Sequence, residues 1–458
     1  MAVWSETNLL SIENNHGRFD AEYYKPEYLE AEKFLSRLQG IKLRTACSKI
    51  DVGHVGPMVH HYTTNGIPLL QTQNVKEFFL KDEHIVKITP DFHSTLIKSQ
   101  VRKGSILIAR SGSFGSAAIY LENEIINSAD IIIVEINNPR IDPLFAVAFM
   151  NSKYGSNQLI RFASGGVQGH VNLRILENYF LPIFDDSIQK KINNIIQKAY
   201  NSKKMSEKLF VGAQNLLESE LGLDKFQFKK PVGYTSRFSE LEASHRIDAQ
   251  HFQPRFEQLI NQFYKIDTKQ IRDIRLYNRR GVQPVYVGDG PVDVVNSQHI
   301  GPQHIDYDGL QKTSEKAFSA SPEGHIKVND LLIYTTGAYI GRTNVYLSNQ
   351  PALASNHVNI LRLNSDLDAA YMSLVFQSVI GHFQTLKHSR GSAQAELYPT
   401  DIDKFIVPIL APEKQTAIGD LVRNSLEKKQ ESKRLLEKAK FQVEQLIEQA
   451  AQGSGEKP

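Results

Sequence analysis

Short apolar runs broken by Gly, Pro and Asn alternate along this chain with two long stretches of helical periodicity. The runs Ile106–Ala109, Ile131–Ile136, Leu331–Tyr334 and Val358–Leu363 predict buried strands, because each is short, apolar and bounded by turn formers. Helices are predicted near Pro26–Leu38 and Pro254–Phe263, where proline suits the first turn since its missing N–H would be unpaired there anyway. Shorter helices are predicted at Leu144–Asn151 and Ala369–Val379. After Pro182 and after Pro408 the period turns helical and stays so.

The first long stretch places Ile188, Ile192, Ile195, Ala199, Ser202, Ser206, Leu209, Ala213 and Leu216 at alternating spacings of 4 and 3. That is a heptad seam. Adding 226 from Ile192 onward lands on Ile418, Leu421, Ser425, Lys428, Ser432, Leu435, Ala439 and Gln442. The second seam drifts late, where Val443 and Ile447 fit better than Gln442. About 35 residues at a rise of 1.5 Å make a rod of roughly 50 Å. A shared register predicts that the two rods pair as an antiparallel intramolecular coiled coil. The alternative is two unrelated amphipathic helices on separate domain surfaces.

The offset near 226 runs through the whole chain. Arg18-Phe19-Asp20-Ala21 through Pro26 returns as Arg246-Ile247-Asp248-Ala249 through Pro254. Pro68–Asn74 resembles Asp293–His299, and Lys103–Phe114 resembles Val328–Tyr339. Ser164–Gln168 resembles Arg390–Gln394, and Leu181-Pro182-Ile183 returns as Val407-Pro408-Ile409. Chance matches would not keep their order, so the chain is an internal duplication. The predicted fold is α+β, with two strand-rich domains joined by two long helices in a pseudo-two-fold internal repeat. The boundaries are an N-terminal helical segment at 1–40, a first domain at 41–182 and a central long helix at 183–222. A connector with the second repeat's first helix takes 223–265, a second domain 266–408, a C-terminal long helix 409–452 and a disordered tail 453–458.

Composition changes this picture little. At 458 residues the chain is too long for one ordinary core. A single cysteine, Cys47, allows no internal disulfide and fits a reducing, cytoplasmic setting. The segment Met1 to Leu10 lacks the basic and apolar regions of a signal peptide, and apolar runs such as Ile131–Val134 are too short to span a bilayer. A net charge of +3 permits a phosphate-contacting face without requiring one.

No catalytic constellation emerges. Asp142-Pro143-Leu144-Phe145 only grazes the motif of a base-methylating centre, and no dinucleotide loop follows a strand. The stretch Gly337 to Thr343 lacks the spacing and the lysine of a phosphate loop. Ser111-Gly112-Ser113-Phe114-Gly115 has the wrong frame for a nucleophile elbow, and His60-His61 would point apart on a strand. No metal site and no cofactor is predicted on this chain.

The polar loops point instead to DNA. Gln71, Thr72, Gln73 and Asn74 match Asn296, Ser297, Gln298 and His299. Arg110, Ser111, Ser113 and Phe114 match Thr335, Thr336, Ala338 and Tyr339, with Arg342 close by. Gln168 and His170 match Gln394 and Glu396, behind glycine-bearing loops that include Arg390. Asn and Gln suit adenine in the major groove and Arg suits guanine. Glycines let the backbone approach phosphates. The competing explanation is that such residues simply make turns. Like scaffolds with unlike tips are what two readers of different sequences require.

The paired Arg-x-Asp-Ala…Pro helices, the glycine-bearing loops ending in Leu/Val-Pro-Ile and the two heptad helices together resemble the specificity (S) subunit of Type I restriction-modification systems. The resemblance runs from Phe19 to about Gln449. It implies two target recognition domains, each reading one half of a bipartite, asymmetric site in double-stranded DNA. It implies helical regions that set the spacer and dock two methyltransferase (M) subunits, which carry S-adenosylmethionine. Where the system also cleaves, two restriction (R) motor subunits join. It implies no catalysis on this chain. A two-headed endonuclease and a scaffold that binds no DNA are the alternatives.

Overall fold

A computed structural model describes all residues except 1–3, 8, 15–18, 82, 111–114, 164–170, 172, 230, 264–265, 392–393 and 454–458. The chain divides into two compact units. Unit 1 is Met1–Lys203 with Gln430–Pro458, and unit 2 is Lys204–Lys429. The helices used below are α1 (Pro26–Leu35), α2 (Pro143–Asn151), α3 (Lys153–Ala163), α4 (Asp186–Glu220), α5 (Pro254–Gln262), α6 (Ala369–Gln377), α7 (Val379–His388) and α8 (Pro412–Gly453).

In unit 1, a four-stranded sheet runs in the order Cys47–Val52, Ile131–Ile136, Ile106–Ala109, Ala117–Ile119, all antiparallel. Successive side chains on a strand point to opposite faces. Ile106, Ile108, Ile132 and Val134 therefore enter the main core, while Leu107, Ala109, Ile131 and Ile133 enter a second one. Burial on both faces is why these strands read as unbroken apolar runs. The second core is closed by a five-stranded sheet, in which Ile67–Leu70 pairs in parallel with Ile126–Ser128.

Unit 2 repeats this arrangement. Its four-stranded sheet runs Arg275–Arg280, Val358–Leu363, Leu331–Tyr334, Thr343–Val345. Leu331, Ile333 and Leu361 face one core, while Leu332, Val358 and Ile360 face the other. The five-stranded sheet again contains one parallel pair, Val292–Val295 with Ala352–Ala354.

Matched polar devices hold both frames. Asp142 caps α2 by accepting from the Leu144 and Phe145 amides at 2.8 and 3.1 Å, and Asp368 caps α6 through Ala370 and Tyr371 at 2.9 Å each. The backbone N–H of each cap residue donates to a buried glutamine in the first turn of a long helix, Gln189 at 2.8 Å and Gln415 at 3.1 Å. Gln158 on α3 and Gln384 on α7 accept from the amides of Phe180 and Ile406 at 3.0 and 2.6 Å. The periodicity missed α3 and α7. The predicted helix Ala369–Val379 stops at Gln377, because Ser378 turns extended and caps α7 by accepting from the Ile380 amide.

The boundary between units falls inside α4 and α8. In unit 1, Ile192, Ile196 and Ala199 share a core with Ala439, Val443 and Ile447. In unit 2, Phe210, Ala213 and Leu217 share one with Ile418 and Val422. There the two helices run antiparallel. Ser206 Oγ donates to the Ser425 carbonyl at 2.7 Å, Ser425 Oγ returns a bond at 2.8 Å, and Glu220 pairs with Lys414. The predicted seam needs a correction. Ile192, Ala199, Ala213, Ile418 and Ala439 are buried, but Ile188, Ile195, Leu209, Leu216, Leu421 and Leu435 are half-buried. Ile196, Phe210, Leu217 and Val422, each one residue further on, are buried in their place. Each helix packs against its domain as well as against the other helix, so its apolar stripe is wider than a two-column seam. The late drift toward Val443 and Ile447 is present, both being buried. The connector contains a short helix, Phe238–Ser244, with no buried residue.

Candidate nucleic-acid interface

In each unit one face gathers the loops at the ends of the strands. In unit 1 the loop after Ile67–Leu70 forms a 3-10 turn at Thr72–Asn74. Thr72 Oγ1 donates to the Asp130 carbonyl at 3.1 Å. Asp130, in the left-handed region at φ 52°, accepts from Arg110 at 2.7 Å. Gln73 Nε2 donates to Gln71 Oε1 at 3.0 Å. These residues come together, with the charge of Arg110 held by a partner the sequence did not suggest. Ser111, Ser113, Phe114, Gln168 and His170 lie outside the described residues.

Unit 2 builds the same place with other chemistry. His357 stands where Asp130 stands in unit 1, and Thr335 stands where Arg110 does. The Thr335 amide and hydroxyl both donate to the His357 carbonyl, at 3.1 and 2.9 Å. The Gly337 amide donates to Ala395 at 3.0 Å and the Leu397 amide to Thr335 at 2.9 Å, which brings the loop of Arg390 and Gln394 against that of Tyr339 and Arg342. Gly337 sits at φ 115°, a conformation that favours glycine. The Arg342 guanidinium stacks 3.7 Å over the Tyr339 ring, and Tyr339 is 53% exposed. Arg390 extends to Asp401 at 2.7 Å.

Four predicted contact residues are corrected by burial. Asn74 is fully buried, with its carbonyl accepting from the Gln71 amide at 2.9 Å and its amide donating to Lys81 and Glu83 carbonyls at 3.0 Å. His299 has the same duty in unit 2, its Nδ1 accepting from the Asn296 amide at 3.0 Å. Burial holds His299 below the ordinary histidine range, so it stays neutral. Thr335 and Thr336 are also buried. These four build the loops and present nothing to a ligand. Asn296 is half-buried and spends its side chain internally, accepting from the Tyr286 hydroxyl at 2.9 Å and donating to Gln311 Oε1 at 2.7 Å. Gln298 stays exposed.

The structure adds residues that sequence reasoning missed. Gln283, Tyr286, Gln311, Asn356 and His357 join Asn296 and Gln298 around a polar pocket of about 340 Å³. The loop of Gln283 leaves its sheet at Gly281, where a Cβ would collide with the Ala354 carbonyl. Gly53 in unit 1 is matched, its Cβ position lying 2.7 Å from the Ser128 carbonyl. This glycine pair, followed in both copies by a proline (Pro57, Pro284), was the available signal. Among the described residues no group of His, Cys, Asp and Glu could hold a metal, and no helix is long and apolar enough to cross a membrane.

Residues 53–209 match the family model described as the Type I restriction modification DNA specificity domain. A 156-residue stretch is 23% identical to the Type I restriction enzyme EcoBI specificity subunit of Escherichia coli, covering 30% of this chain and 33% of that subunit. The chain thus aligns with about a third of that relative's length. Among solved structures, the Type I restriction-modification S subunit from M. genitalium is 12% identical with a TM-score of 0.43, covering 90% of this chain and 95% of that one. The HsdS subunit from Thermoanaerobacter tengcongensis is 12% identical with a TM-score of 0.28, covering 89% and 96%.

Proposed function

We propose that this chain, which carries a Type I restriction modification DNA specificity domain, is the sequence-recognition subunit of such a complex. Each unit reads one half of a bipartite, asymmetric site in double-stranded DNA. The chain chooses the site, and methyltransferase subunits that carry S-adenosylmethionine act there. They dock on its helical regions, as restriction subunits do where the system cleaves. One observation carries the reading. Two units with the same strand frame hold different side chains at the same place, Arg110 paired with Asp130 in one and exposed His357 over a buried, inward-bonded Thr335 in the other. Equal frames give equal presentation to the duplex, and unequal side chains give unequal base choice.

Long-read mapping of methylated bases in cells that express the whole complex tests this. One bipartite, asymmetric motif is expected, and a continuous palindrome or no motif overturns the reading. Exchanging 41–182 for the corresponding segment of another such subunit should change one half of that motif only. Binding of the assembled complex should weaken steeply with salt, because phosphate contacts release counterions.

A further inference from the structure

The pocket of unit 2 differs from ordinary small-molecule sites. Those run from roughly 300 to 1,000 Å³ and are mostly apolar. This one has about 340 Å³ and is lined by carboxamides, hydroxyls and an imidazole. No Lys, Arg, Asp or Glu lines it. Guanine is best met by paired cationic donors, and cytosine by a carboxylate acceptor. The lining supplies neither. A carboxamide offers one donor and one acceptor side by side, the complement of adenine N7 and N6.

The carboxamides divide into two sets. Asn296 is spent on Tyr286 and Gln311, and it fixes the Gln311 amide with its oxygen inward. Gln283 and Asn356 have no hydrogen-bond partner among the described residues; Gln283 is exposed and Asn356 half-buried. Asn356 is also an insertion. The strand pairing matches Val358 with Ile131 and the Ser355 amide bond with that of Ala129, leaving one residue in unit 1, Asp130, where unit 2 has Asn356 and His357. Val285, 65% exposed beside Tyr286, adds an apolar surface suited to a thymine methyl. Among the described residues, the matching loops of unit 1 tie their polar side chains to one another, Gln71 to Gln73 and Arg110 to Asp130.

We propose that unit 2 selects an adenine–thymine pair in its half-site through the carboxamides of Gln283 and Asn356, with Asn296 and Tyr286 as positioning residues. The assignment rests on the DNA-reading function above and names the base that function would choose here. Two measurements on the whole complex test it. In the first, methylated motifs are mapped with Gln283→Ala, Asn356→Ala and the double variant. Discrimination at one A·T position of the second half-site should fall roughly tenfold or more for each lost pair, with the first half unchanged. In the second, the unaltered complex binds duplexes in which each adenine of that half-site is replaced in turn by 7-deazaadenine, which lacks the N7 acceptor. One position should weaken binding by a similar factor. This arm needs no variant to fold. A second half-site without A·T pairs, or a motif and an affinity that none of these changes moves, overturns the assignment while leaving the DNA-reading function intact. Absence of any motif for the unaltered complex overturns both.

Discussion

Unit 1 and unit 2 share a frame, and the places where they part are few enough to interpret. Both cap the same helix with an aspartate and clamp the same short strand with a glutamine. They part in how they handle charge. Unit 2 buries Asp330 completely and answers it with Arg362 through two bonds of 2.7 Å. At that place unit 1 has neutral Ser105, which accepts from the Arg102 amide at 3.0 Å. Unit 2 also packs His251, His299 and His388 where unit 1 has Tyr23, Asn74 and Phe162. Burial holds all three histidines below their ordinary range. One backbone frame therefore tolerates either charged or neutral fillings, provided that each polar group finds a partner.

The sharpest way to break this comparison is at the buried ion pair. Asp330→Ala leaves Arg362 uncompensated and should cost unit 2 about 3 kcal/mol, the lower end for such losses because Arg362 keeps some solvent. Ser105→Ala should cost unit 1 about 1 kcal/mol. Chemical denaturation of the full chain, followed by hydrogen exchange in each unit, reads both values. Equal losses would mean that the pair is no more than a surface contact.

Acid should separate the units next. Burial first, and then the Lys387 cation, push His388 down to about 3 from an ordinary value of 6.5. The unfolded chain therefore takes up the proton first. The stability is complete above pH 6.5 and is lost as pH falls toward 3, at about 1.4 kcal/mol per pH unit, or about 2 kcal/mol at pH 5. His388→Phe installs the residue of unit 1 and should flatten the acid slope of unit 2. An unchanged slope would place the sensitivity elsewhere.

Smaller effects sharpen the comparison. On the proposed reading, Arg110→Ala removes a cation from the loops of unit 1 and should relax one position of the first half-site roughly tenfold, leaving the second half alone. Motif mapping in the whole complex shows either outcome. The smallest change is expected in the helices, where Ser206 and Ser425 exchange two hydrogen bonds. Each hydroxyl donates to the other residue's main-chain carbonyl, which alanine keeps together with its helical bond, so Ser206→Ala and Ser425→Ala should each remove one hydrogen bond at a cost of about 0.5 kcal/mol, and the double variant should cost about 1 kcal/mol. A thermal melt of the three variants orders them.

Much of the frame was legible because its causes are local. The strands Ile106–Ala109, Ile131–Ile136, Leu331–Tyr334 and Val358–Leu363 are where their apolar runs predict. The long helices are where the period changes, and the drift to Val443 and Ile447 is real. The helix seam was misplaced by one residue at Ile195, Leu209, Leu216 and Leu421, because periodicity does not say how many neighbours a helix packs against.

By itself the sequence determined the duplication, the strand and helix periods and the position of the polar loops, all of which follow from side-chain size, polarity and spacing along the chain. Only the tertiary structure decided which polar side chains are free. Asn74 and His299 looked exposed and are buried among carbonyls and amides, while Gln283, Asn356 and His357 had no motif and meet at one pocket. A polar side chain is spent or free according to partners that are distant in sequence, as Arg110 is to Asp130 and Asn296 to Gln311. Hydrogen-bond satisfaction is a property of the folded neighbourhood, and no residue carries it alone.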